Sequence, residues 1–117
     1  MNRHVHSFQL AFSGIRYALT TQLNFVVHAV FACLALGLGL TLHISSLEWV
    51  AVVLAIVLVF VAEMINTSIE LMTDLITTEH RQHAKIAKDV SAGMVLVTAI
   101  GAVVIAALIF LPKIIVR

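Results

Sequence analysis

The sequence predicts an all-α integral membrane protein, built from an N-terminal amphipathic surface helix and three transmembrane helices. Three observations lead there. Of the 117 residues, 62% are hydrophobic and only 11% charged, with a mean hydropathy of +1.10, whereas a soluble domain carries about 25% charged residues. The apolar residues gather into three runs, each long enough to cross a hydrocarbon core of ~30 Å at about 1.5 Å per residue. Ahead of them lies a stretch whose apolar positions recur at helical steps. The chain is too short for more than one domain, so residues 1–117 are read as a single unit.

The first element spans about residues 4–20. Val5, Phe8, Phe12, Ile15 and Leu19 recur at three- and four-residue steps, with His4, Ser7, Gln9 and Arg16 between them. Such a pattern ahead of a span describes a helix lying in the headgroup plane; a short soluble helix packed on the loops is the other reading. The first span covers about 23–42. It opens with Asn24 and His28 at i, i+4, and His28 reads as a packed interfacial histidine rather than a ligand. Gly37 and Gly39 are too sparse for a phosphate loop and are expected to admit close helix packing.

A short connection, 43–48, holds no Lys or Arg. The second span covers about 47–65 and extends beyond the apolar region to about 76. Residues 77–83, Thr-Thr-Glu-His-Arg-Gln-His, break the pattern and read as a loop. Lys85, Lys88 and Asp89 then share one face of a new helix leading into the third span, about 90–111. Ser91, Ala92, Gly93 and Gly101 are small residues suited to tight packing there, and Pro112 is expected to stop the helix. The cations Arg81, Lys85 and Lys88 all lie in the second connection. The positive-inside rule therefore places that connection and the N-terminus in the cytoplasm and the 43–48 connection outside. Lys113 and Arg117 then fall outside, against the rule.

Charge and cysteine content exclude several classes. A formal net charge of +1 offers no footprint for nucleic acid, and the lone Cys33 allows neither an internal disulfide nor a cysteine-based zinc site. The polar N-terminus and span-length first run leave no expectation of a cleavable signal peptide, and Phe31 spoils a lipobox at Cys33.

The chemistry concentrates at the end of the second span. Glu63, Asn66, Glu70 and Asp74 stand at i, i+3, i+7 and i+11, within an arc of roughly 80° on one helix face. Carboxylates so placed repel unless a cation lies between them, and Mg²⁺ brought with a phosphate suits them. A solvated polar face at a helix end is the plainer reading. Carboxylates for a metal and lysines for phosphate oxygens, joined by a short loop, suit phosphoryl transfer, which is mostly positioning and charge neutralisation. No Walker A, kinase glycine loop or Rossmann pattern occurs. Physics alone leaves a lipid kinase and a small ion-conducting subunit both open.

The segment Glu63-Met64-Ile65-Asn66-Thr67-Ser68-Ile69-Glu70, then Asp74-Leu75-Ile76, then Ala84-Lys85-x-Ala87-Lys88-Asp89-x-x-Ala92-Gly93, closely resembles the signature of the prokaryotic diacylglycerol kinase family. It is most similar to the Gram-positive-type branch that phosphorylates undecaprenol. Arg3-x-x-x-Ser7-Phe8, Gly14-Ile15, Asn24-Phe25-x-x-His28, Glu48-Trp49 and Phe110-Leu111-Pro112-Lys113 extend the likeness over nearly the whole chain. The resemblance implies a homotrimer with active sites between subunits, in the bacterial cytoplasmic membrane with those sites on the cytoplasmic side. The implied activity is transfer of the ATP γ-phosphoryl group, with Mg²⁺, to a lipid alcohol, undecaprenol ahead of diacylglycerol.

Carried over by position, the resemblance makes Glu63 the catalytic base and Glu70 a metal ligand, with Asn66 and Ala92 arranging the site. It makes Arg3, Glu79, His80, Arg81, Lys88 and Asp89 ATP-binding residues, with Lys88 on phosphate. One departure stands out: the family's Thr-Glu-Arg-Asn reads Thr21-Gln22-Leu23-Asn24 here. Gln22 offers Mg²⁺ a carbonyl oxygen in place of a carboxylate. An inactive member kept as a membrane scaffold or regulator is the alternative that this change carries, and a channel or transporter subunit is a more distant one.

Overall fold

The computed structural model describes residues 2–116, so Arg117 lies outside the described residues. Four helices follow in order: α1 (Arg3–Thr21), α2 (Leu23–Thr41), α3 (Ser46–Ile76) and α4 (Gln82–Ile115). The last three are long and apolar enough to cross a membrane. The protein is multi-pass, and the expected all-helical architecture is present.

Asn2 starts α1, its side chain accepting a hydrogen bond from the His4 amide at 3.0 Å and satisfying a donor the helix cannot. At the other end, Thr20 and Thr21 donate back to the carbonyls of Arg16 and Tyr17. Gln22 then turns extended, ending α1 and opening α2. Only Ala18 of α1 is buried, and Phe8 and Phe12 are exposed. Apart from Ala18 this helix is exposed along its whole length, polar and apolar residues alike.

Between α2 and α3, His43 adopts a left-handed conformation, φ 52°. A capping box begins α3: Ser45 Oγ accepts from the Glu48 amide and Glu48 Oε1 accepts from the Ser45 amide, two orphan donors satisfied reciprocally. The other Glu48 oxygen receives Lys113 Nζ at 2.8 Å. Lys113, which runs against the positive-inside count, is thus neutralised at its own end of the bundle. Here too a small core forms from Ile44, Val52, Ile109 and Phe110, with Trp49 packed on it. Trp49 lies over Gly39, where an added Cβ would stand 2.6 Å from the ring. Of the two α2 glycines, Gly39 is the one that admits close packing. A Cβ on Gly37 would meet nothing within 4 Å, and the same holds for Gly93 and Gly101.

The central helix is α3. Val52, Ala55, Val59, Ala62, Glu63, Asn66 and Thr67 are buried along one side of it, at the spacing of one helical face. Its 31 residues give about 47 Å of helix, and the 34 of α4 about 51 Å, whereas the 19 of α2 give about 28 Å. Two boundaries differ from expectation. Helix α4 already begins at Gln82, so the loop is only residues 77–81 and the Lys85–Asp89 turn is continuous with the span. Nor does Pro112 stop α4, which runs on to Ile115, and the Pro112 carbonyl accepts from the Val116 amide at 3.1 Å. Proline removes its own N–H and crowds the carbonyl four residues back, but the residues after it remain free to continue the helix.

Candidate functional site

The buried face of α3 turns polar at Glu63. Glu63 is 1% exposed, and its Oε2 has no hydrogen-bond partner. An unpaired buried carboxylate costs several kcal/mol, so a group kept there is a candidate for chemistry. His28 of α2 faces it, Nε2 lying 3.7 Å from Oε2. The two helices are held in rotation by Phe25 and Phe60, one turn from His28 and Glu63 respectively, whose rings pack at 4.9 Å and 46°.

A connected polar chain follows one turn further along α3. Ser91 of α4 donates to Asn66 Oδ1 at 2.7 Å, and Asn66 Nδ2 donates to Glu70 Oε1 at 3.2 Å. Both ends of the Asn66 amide are thereby engaged, and its orientation is fixed by an acceptor on one side and a donor on the other. Thr67 donates to the Glu63 carbonyl at 2.9 Å, keeping a buried hydroxyl satisfied. Glu70 is half-buried, with its second oxygen free of side-chain hydrogen bonds among the described residues.

Beyond this chain, α3, the 77–81 loop and the first turns of α4 enclose a cleft of about 230 Å³ lined by Asp74, Thr77, Glu79, Arg81, Lys85 and Lys88, among others. Lys88 Nζ lies 2.6 Å from Asp74 Oδ1, Lys85 Nζ 2.6 Å from Asp89 Oδ2, and Arg81 forks onto Glu79 Oε2 at 3.1 Å. All three cations are paired, yet the pairs are largely solvent-exposed. Exposed ion pairs are worth ~1 kcal/mol or less, so a phosphate can displace them cheaply.

The predicted residues thus fall into groups. Glu63, Asn66 and Glu70 share the polar face of α3; Glu79, His80, Arg81, Lys88 and Asp89 line the cleft. Asp74 leaves the acidic stripe to pair with Lys88. Arg3 and Gln22 make no side-chain bond to either group among the described residues, and Ala92 is exposed, next to the buried Ser91. Two residues that the site draws in were read otherwise in the sequence: Ser91 as a small packing residue, His28 as an interfacial histidine. Their distance along the chain from α3 hides them.

No group of three His, Cys, Asp or Glu side chains that could hold a metal alone occurs among the described residues. The donors at hand still fit Mg²⁺ shared with a phosphate, since that ion takes one or two carboxylates and completes its shell with phosphate oxygens and water. Glu70 supplies such a carboxylate. Gln22, whose Nε2 donates to Thr21 Oγ1 at 3.2 Å, keeps its side-chain oxygen Oε1 without a partner among the described residues.

Comparison with known proteins adds a second line. The family model described as prokaryotic diacylglycerol kinase matches residues 9–110. The chain is 43% identical over 113 residues to the undecaprenol kinase of Bacillus subtilis, covering 97% of this chain and 92% of that protein. It is 36% identical to the diacylglycerol kinase of Synechocystis sp., covering 91% of this chain but 61% of the longer relative. With the diacylglycerol kinase of Escherichia coli K12 the identity is 28%, over 80% of this chain and 77% of that one.

Proposed function

The chain belongs to the prokaryotic diacylglycerol kinase family and is a lipid kinase, and from that premise we propose that it transfers the γ-phosphoryl group of Mg·ATP to undecaprenol. The observation that carries the reading is that α3 and α4 hold a buried carboxylate, Glu63, and about three turns further along α3 an exposed cationic cleft. The 43% identity to an undecaprenol kinase over nearly the whole chain favours undecaprenol over diacylglycerol as acceptor. A membrane alcohol also suits the apolar groove of about 280 Å³ among α2, α3 and α4, which His28 lines close to Glu63.

In this reading the acceptor hydroxyl meets Glu63, which takes its proton as the oxygen bonds to the γ-phosphorus and the bond to ADP breaks. Lys88, Lys85 and Arg81 exchange their carboxylate partners for phosphate oxygens, and Glu79, His80 and Asp89 border the nucleotide. Ser91 holds Asn66, which holds Glu70, so the metal-ligand carboxylate is preset before ATP arrives. Mg²⁺ held by Glu70 and Gln22 would neutralise phosphate charge. The active assembly is a homotrimer: Arg3 and Gln22 bond to none of the α3 groups within one protomer among the described residues, and a Cβ at Gly93 or Gly101 would meet nothing within 4 Å, both of which support sites completed by a neighbouring copy. The cations of the 77–89 region support a cytoplasmic site in the bacterial inner membrane.

Purified protein incubated with radiolabelled ATP, Mg²⁺ and a panel of lipid alcohols tests this directly. Label should pass to undecaprenol faster than to diacylglycerol. No transfer to any acceptor would leave the scaffold reading, which the missing charge at Gln22 favours.

A further inference from the structure

We infer that His28 is the positioning residue for Glu63: it fixes the orientation of the carboxylate that receives the acceptor's proton. This rests on the kinase reading for its consequence, but on geometry for its premise. Glu63 Oε2 is buried without a hydrogen bond, and a fixed acceptor in a low-dielectric site needs a donor or cation to set its direction. His28 is the one basic side chain within ion-pair distance of it among the described residues, at 3.7 Å. That separation exceeds a hydrogen bond, so the imidazole steers the carboxylate and closes on it in the substrate-bound site, as catalytic contacts commonly tighten there.

Two further observations favour a built arrangement over chance contact. The Phe25–Phe60 pair, one turn away on each helix, locks α2 against α3 at this level. His28 is also the sole polar residue lining the apolar groove, so no other polar group of the groove competes with Glu63 for its ring. Histidine suits the role because neutral imidazole donates through one nitrogen and imidazolium through both.

Kinetics and spectroscopy test the proposal separately. His28→Leu fills the groove with an apolar side chain and should lower kcat about 10- to 100-fold, the scale of a misplaced reacting group. KM for ATP should stay within about two-fold, because the cleft is untouched. His28→Gln, which keeps an N–H, should recover most of the rate. On a Glu63→Gln background, His28→Leu should change the residual rate less than about two-fold, since the residue acts through Glu63. Independently of activity, the ¹⁵N imidazole resonance of His28 in detergent-solubilised protein should shift on Glu63→Gln while those of the other histidines stay in place. An unmoved His28 resonance overturns the proposal even if the protein proves inert. So does a full multiplicative loss in the double variant, or His28→Leu with wild-type kcat. A shifted resonance in a protein that phosphorylates no lipid keeps the pairing and rejects the kinase reading instead.

Discussion

Ser91 Oγ donates to Asn66 Oδ1 at 2.7 Å, joining α4 to α3 through two buried side chains. The bond does two things. It satisfies an amide oxygen that the membrane interior cannot, and it turns the Asn66 amino group onto Glu70.

Ser91→Ala should therefore cost stability and activity together. An unsatisfied buried acceptor costs about 1–3 kcal/mol, which thermal inactivation in detergent will register as a lower midpoint. Phosphoryl transfer at limiting Mg²⁺ should fall further than at saturating Mg²⁺, because Glu70 loses its fixed partner. A variant indistinguishable from wild type in both would remove this bond from the site.

At the opposite end of the bundle, Gly39→Ala should destabilise by about 1–3 kcal/mol, the ordinary cost of overpacking. Its Cβ would stand 2.6 Å and 2.9 Å from two atoms of the Trp49 ring, a rigid group with the Ile44 side chain close by. Gly37→Ala, facing open space in the protomer, should unfold at or above the wild-type midpoint, since alanine is the better helix former by about 1 kcal/mol. Equal midpoints for the two variants would contradict the Trp49–Gly39 contact.

Gln22→Glu restores a charge to the inferred metal site. Hard divalent ions bind more tightly as ligand charge rises, so at saturating ATP and fixed acceptor this variant should reach half-maximal rate at a lower Mg²⁺ concentration than the native chain. Superimposed titrations would take Gln22 out of the metal's coordination shell.

Topology can be read with one thiol. In a Cys33→Ala background, Gln82→Cys at the exposed start of α4 should resist a membrane-impermeant maleimide in intact cells and react once the membrane is opened. Labelling from outside would part the cleft from cellular ATP and invert the assignment.

Much of this architecture is legible in the chain because it is periodic. The apolar runs mark α2, α3 and α4, and the 3.6-residue repeat brings Glu63, Asn66 and Glu70 onto one face without any knowledge of neighbours. What hides is the rotation of one helix against the next. His28 meets Glu63 across 35 residues, Ser91 meets Asn66 across 25, and Lys113 meets Glu48 across 65. No spacing within a single element encodes these meetings. Asp74 shows the same limit: it belongs to the acidic stripe by register, yet Lys88 claims it. At Pro112 the error is local, because the proline's cost falls on the turn before it and leaves the turn after it helical.

Whether Glu63 is the base of a lipid kinase is decided by the rate of label transfer from ATP to undecaprenol by Glu63→Gln, set beside nucleotide binding by the same variant. Removing a general base costs about 10²–10⁴-fold, while the cleft of Arg81, Lys85 and Lys88 remains whole. Transfer should fall by that factor while ATP affinity stays within about two-fold of the native chain. Transfer within a few-fold of native, or loss of transfer with equal loss of ATP binding, would contradict that role for Glu63.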